Sequence, residues 1–165
     1  KLESGTNTDI NDIWGYIDPN TSQPVELCAV SFVSDIGDYK ILKINGNKVD
    51  SLKWNTGRRV QTVWTKNGFP IYVGGGGVFE NNSGYWKEIT DIPLDYSRSI
   101  RGTGLNDIYV CGDYGLFAHF NGVRWKVYNS LIINGIYLAL AVKGDLVVAV
   151  GNDNNKAIIV MGKRN

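Results

Sequence analysis

Three residues of this chain stand at equivalent places in a repeating pattern and carry side chains suited to recognition: Trp14, Trp64 and Arg101. Two indoles and a guanidinium at the mouth of a channel are what a site for a sugar, a peptide or a carboxylate would use. The competing expectation is that they supply bulk between neighbouring units. Asp107 and Asp113 could act as an acid pair only by facing each other across a cleft; as residues near strand ends, they are expected to cap turns through Asx hydrogen bonds. The single His119 cannot build a histidine-rich metal site. Its counterparts in other repeats, Lys43 and Glu80, are polar, which predicts an exposed strand face. Gly74 to Gly77 is followed by no helix and no Lys-Ser/Thr, so it reads as a tight hairpin, not a phosphate loop. Asn152-Asp-Asn-Asn155 lacks the ligand spacing of a calcium loop and reads as a turn. Neither a catalytic residue, nor a metal site, nor a cofactor is expected.

The elements that must position these residues come from an internal repeat. Ile71-Tyr-Val-Gly-Gly-Gly-Gly-Val-Phe79 matches Ile108-Tyr-Val-Cys-Gly-Asp-Tyr-Gly-Leu-Phe117, and each is followed by a Gly and then Trp86 or Trp125. A degenerate copy runs from Val148 to Val160. Short alternating runs punctuated by Gly-rich turns predict an all-β chain, a β-propeller of about four blades, each a four-stranded antiparallel meander. In the third repeat the strands read Ser99–Gly102, Asp107–Gly112, Leu116–Phe120 and Arg124–Tyr128. Blades are expected at about 8–55, 58–92, 97–130 and 135–162 within one domain, 1–165. Trp14, Trp64, Arg101 and Ala141 then match on successive first strands, separated by 50, 37 and 40 residues, close to the ~40–45 of a four-stranded blade. Asn121-Gly122 and Asn45-Gly46 predict two-residue hairpins, because a type I′ turn needs positive φ at both positions.

The fourth repeat ends after its third strand, whereas residues 1–5 resemble a fourth strand without a blade. Three arrangements satisfy this offset: a self-closed four-bladed ring, an eight-bladed ring of two copies, or the C-terminal half of a larger propeller. An unclosed half would leave strand edges and sheet faces open to pairing.

With 43% hydrophobic and 20% charged residues the chain is a globular one, not a disordered one. Its 20 glycines in 165 residues exceed the ~7% average and favour many tight turns. A net charge of +1 gives no electrostatic case for nucleic acid. There is no run of ~20 apolar residues to span a membrane. The opening Lys1-Leu-Glu-Ser4, without an initiator Met, suggests a mature, processed or partial chain. Cys28 and Cys111 fall on strands two blades apart, beyond the ~7 Å limit for a bridge, so both are expected as buried free thiols.

The stretch from Ile100 to Trp125 resembles the N-D-[IV]-[WFY]-x-x-G-D-x-G-x-x-x-H-[FY]-[ND]-G-x-x-W repeat of secreted or lipid-anchored bacterial β-propeller proteins, most of unassigned function. Asp9-Ile-Asn-Asp-Ile-Trp-Gly15 and Asn155 to Arg164 are similar to that family's later blades and chain end. The resemblance implies an extracytoplasmic location (periplasmic, outer-membrane-associated or secreted) and about twice as many blades. It favours the half-propeller arrangement. A sialidase-type Asp box is absent, since Ser34-Asp-Ile-Gly37 fails its spacing. The function expected is a non-enzymatic binding or assembly module with a protein partner, a companion half-propeller or another copy, and with a glycan or peptide as ligand. The alternative is part of a carbohydrate-active enzyme with its catalytic residues outside this chain.

Overall fold

The computed structural model describes residues 1–30 and 39–164. Among these, fifteen strands pair into four antiparallel sheets, each a meander in chain order. Blade 1 holds β1 (Ile10–Ile17), β2 (Pro24–Val30), β3 (Lys40–Asn45) and β4 (Lys48–Leu52). Blade 2 holds β5 (Val60–Thr65), β6 (Ile71–Gly75), β7 (Gly77–Asn81) and β8 (Trp86–Glu88). Blade 3 holds β9 (Ser97–Gly104), β10 (Asp107–Gly112), β11 (Phe117–Phe120) and β12 (Trp125–Val127). Blade 4 has three strands: β13 (Ile136–Lys143), β14 (Leu146–Asp153) and β15 (Lys156–Lys163). The tail of the expected second strand of blade 1, and Ser34 to Gly37, lie outside the described residues.

The register repeats from blade to blade. Trp14 pairs with Leu27, Trp64 with Tyr72, Arg101 with Tyr109 and Ala141 with Val148. These are the four positions the repeat predicts as equivalent. Each first strand also skips one residue near its start: Asn11, Gln61, Arg98 and Leu138 fall at register shifts and oppose no partner. Such bulges bend a strand and increase its twist. In blades 2 to 4 a glycine stands opposite. A Cβ on Gly75, Gly112 or Gly151 would strike the carbonyl oxygen of Arg59, Tyr96 or Ile136, where the chain enters the first strand of the blade. That close approach explains why the second strands of blades 2 to 4 each reach a Gly.

Apolar side chains fill the three spaces between successive blades. Leu27, Ala29 and Ile41 meet Val60, Val63, Ile71 and Val73; Trp64, Tyr72 and Val78 meet Ile100, Ile108 and Val110; Tyr109, Cys111 and Phe117 meet Tyr137, Leu140 and Ala149. Strands covered on both faces need apolar residues at every position instead of alternate ones. Accordingly β6 and β10 are buried from end to end. Cys28 and Cys111 are free and buried.

Three expectations need correction. Asn121-Gly122 does not form a two-residue hairpin: Phe120 pairs with Trp125 across a four-residue loop. The Asn121 carboxamide oxygen accepts bonds from the amides of Val123 and Arg124, both at 3.0 Å. An Asx turn has won over the type I′ turn. In the first blade Asn45 still pairs with Lys48, so the loop is Gly46-Asn47. Only Gly46 has positive φ (58°) there, the type II′ pattern. Finally, residues 1–5 form no strand within this chain, and β14 is the partner of β15 on one side only.

Candidate functional site

The inner ends of blades 1 to 3 are tied by Asp12 and Arg101. Asp12 sits beside the bulge of β1. Its Oδ2 accepts from the Thr62 hydroxyl (2.6 Å), the Val63 amide (3.1 Å) and Arg101 Nη1 (3.0 Å), and its Oδ1 from Arg101 Nη2 (2.7 Å). The fork of two charge-assisted bonds fixes the guanidinium in one plane. Arg101 also lies 5.2 Å over the Trp14 ring, and Trp14 lies 6.3 Å from Trp64. The structure therefore brings the three sequence-predicted site residues together. Trp64, however, has no exposed surface and packs between blades 2 and 3. Its indole nitrogen has no hydrogen-bond partner. Trp14 donates its indole N–H to the Thr65 carbonyl at 2.7 Å. In this arrangement the trio holds blades to one another, with Arg101 and Trp14 keeping partial exposure.

A second cluster surrounds the start of β9. Arg98 grips Asp113 through Nε (2.7 Å) and Nη2 (3.2 Å) and stacks 4.7 Å over Tyr96. The Tyr96 hydroxyl reaches Gln61 Oε1 at 3.1 Å. Burial raises the Tyr96 phenol above its ordinary value, and the Asp113 hydrogen bond raises Arg98. Asp113 was expected to cap a turn through its side chain. Its carboxylate serves Arg98 instead, and its backbone makes the turn, accepting from the Leu116 amide at 3.0 Å.

The third cluster corrects the expectation for His119, and for Asp107 as a turn cap. His119 does not lie on an exposed face: its side chain is 15% exposed, stacked 4.2 Å from Tyr109, with Nε2 3.0 Å from Asp107 Oδ1. Asp107 is buried, also accepts from Thr103 and forms an ion pair with Arg164 at 3.2 Å. A buried carboxylate needs such donors to offset its lost hydration. The Tyr109 phenol is pushed up to about 12, by burial first and then by Asp107. His119, Tyr109 and Arg164 line a groove of about 400 Å³ between blades 3 and 4, with Phe117, Tyr128 and Leu131 on one wall and Val160 and Gly162 on the other. Repeat alignment could have found it, because Gly162 falls where blade 3 has Phe120. Among the described residues no group of three or more His, Cys, Asp or Glu could hold a metal ion.

No protein-family model and no curated protein matches this chain. Among solved structures it is similar to "YCF48 bound to D1 peptide", with a TM-score of 0.65 at 9% identity over 92% of this chain. The fold is a β-propeller. The chain spans about half the length of that YCF48 chain, 50% of it being covered. No helix among the described residues is long and apolar enough to cross a membrane.

Proposed function

We propose that this chain is one half of a larger extracytoplasmic propeller, a non-enzymatic binding and assembly module whose partner is a protein that closes its open end. The observation that carries this reading is the free edge of β15. Among the described residues Lys156–Lys163 pairs with β14 alone, and Ile159 and Met161 stand 68% and 72% exposed beside Leu138 and Val150. At the other end β1 exposes Ile13 and Ile17. Open edges flanked by apolar faces are sites of pairing with another chain. The half-length match to YCF48, whose structure holds a bound peptide, supports both the completed ring and the binding role. The enzymatic alternative draws no support from Asp107 or Asp113, since both carboxylates are engaged by cations or donors within the chain. Light scattering of the purified chain, alone and with a candidate companion half, tests the reading. Association accompanied by slowed hydrogen exchange along Ala157 to Met161 is the expected result. A stable monomer whose β15 amides exchange freely, even with the companion present, overturns it.

A further inference from the structure

The equivalent grooves between blades are not equally filled. In blade 2 the fourth strand places Trp86 opposite Asn81; in blade 3 it places Trp125 opposite Phe120. Each indole turns toward the preceding blade. Trp86 packs 4.8 Å from Trp54 and donates its indole N–H to the Lys53 carbonyl at 2.7 Å. Trp125 packs 5.3 Å from Phe120 and joins the core between blades 2 and 3 together with Ile89. The pairing register carries these positions into blade 4. Ile71, Ile108 and Val147 are equivalent on the second strands, and their partners on the third strands are Asn81, Phe120 and Gly162. Ile89 has its counterpart in Tyr128, three residues after the tryptophan in each case.

The groove between blades 3 and 4 is therefore the counterpart of the space that Phe120 and Trp125 occupy one blade earlier. Its third-strand position is a glycine, and no fourth strand pairs with β15 among the described residues. What remains is about 400 Å³ lined by Tyr109, Tyr128, Leu131, Val160 and Gly162; the counterpart groove, with Trp125 in place, keeps about 200 Å³. We infer that this groove is a socket for a tryptophan carried on an extended strand, which pairs with β15 and sets its indole opposite Gly162. The occupant is a strand of the companion half, with the Trp-Lys-x-apolar pattern seen at Trp86-Lys87-Glu88-Ile89 and Trp125-Lys126-Val127-Tyr128. This deepens the half-propeller reading and rests on it. Backbone bonds to the β15 edge supply affinity, and the pocket selects the residue, as in strand addition generally. Gly162 leaves the room for it: a Cβ there would come within 3.0 Å of Val147 Cγ1.

The test uses the full chain and a synthetic peptide copying Asn121 to Ser130, with a second peptide in which Trp125 is replaced by Ala. Binding is followed by chemical-shift changes at the Gly162 amide and by hydrogen exchange along β15. The Trp peptide should shift Gly162 and slow exchange at alternate β15 amides, and the Ala peptide should bind at least tenfold more weakly. In Gly162→Phe, which sets a ring in the socket as Phe120 does in its own groove, the Trp peptide should lose binding, while the melting midpoint falls by no more than the Val147 contact at the new Cβ demands. Equal binding of both peptides overturns the socket. So does a chain whose β15 becomes protected by a companion half while the Trp peptide neither binds nor competes; that result leaves the half-propeller reading standing. A chain that binds neither companion nor peptide overturns both.

Discussion

Strands β10 and β14 occupy the same place in successive blades, and the six residues of β14 that match β10, Leu146 to Gly151, are the more apolar and the less buried. Asp-Ile-Tyr-Val-Cys-Gly in β10 is buried at all six positions, while Leu146, Val148 and Val150 of β14 face outward, with Leu146 43% and Val150 41% exposed. The difference is neighbours. Blade 3 has a sheet against each face, and blade 4 has one against a single face. Composition admits a strand to a core; stacking order decides whether it enters one.

That contrast can be broken at its strongest point first. Trp64→Ala, at a fully buried side chain between blades 2 and 3, should destabilise the chain by about 3–5 kcal/mol, read by denaturant unfolding. Asp12→Ala should cost about 2–3 kcal/mol, because it strands the partly buried Arg101 guanidinium that joins blades 1 and 3. A loss no larger than that of an exposed ion pair would mean the tie is dispensable. Gly122→Val should cost about 1 kcal/mol or more, since Gly122 has φ of 90° and a Cβ would press on Asn106; an unchanged midpoint would count against the loop as described.

Chemical labelling sharpens the same contrast. Burial pushes the Cys111 thiol up to about 12 from 9.0, so its thiolate fraction near pH 8 should be about a thousandfold below that of the unfolded chain. Labelling should require unfolding. The raised folded value favours the protonated thiol, so this stabilisation is complete below pH 9 and is lost as pH rises from 9 toward 12. Unfolding measured across that window should show stability falling. The smallest effect belongs to the open end: Ile159→Asn should change the stability of the isolated chain by no more than about 0.5 kcal/mol, yet abolish association with a companion half.

Much of the fold was legible because the repeat is written in residues that geometry requires. Gly75, Gly112 and Gly151 sit against carbonyls, and Trp86 and Trp125 return at one place in the register. The equivalence of Trp14, Trp64, Arg101 and Ala141 followed from that spacing alone. Contacts between blades were not legible. Asp12 and Arg101 lie 89 residues apart, and nothing local signals that a bulge turns one toward the other. His119 looked exposed because Lys43 and Glu80 are polar; its stacking on Tyr109 over a buried Asp107 depends on the sheet face that meets blade 4. The turn at Asn121-Gly122 failed for a local reason: the Asn121 side chain offered the backbone a second way to bend; at Gly46 the two-residue hairpin formed, shifted by one residue.

The bulge in each first strand has a consequence for how such a chain can diversify. Asn11, Gln61, Arg98 and Leu138 oppose no partner across their sheets, so cross-strand packing does not dictate their identity. An amide, a longer amide, a guanidinium and an alkyl group have all been accepted there without altering the frame. One side chain per blade is thereby freed from cross-strand pairing and is put to a different use in each: Asn11 bonds the Val60 carbonyl, Gln61 the Tyr96 hydroxyl and Arg98 the Asp113 carboxylate, while Leu138 stands exposed.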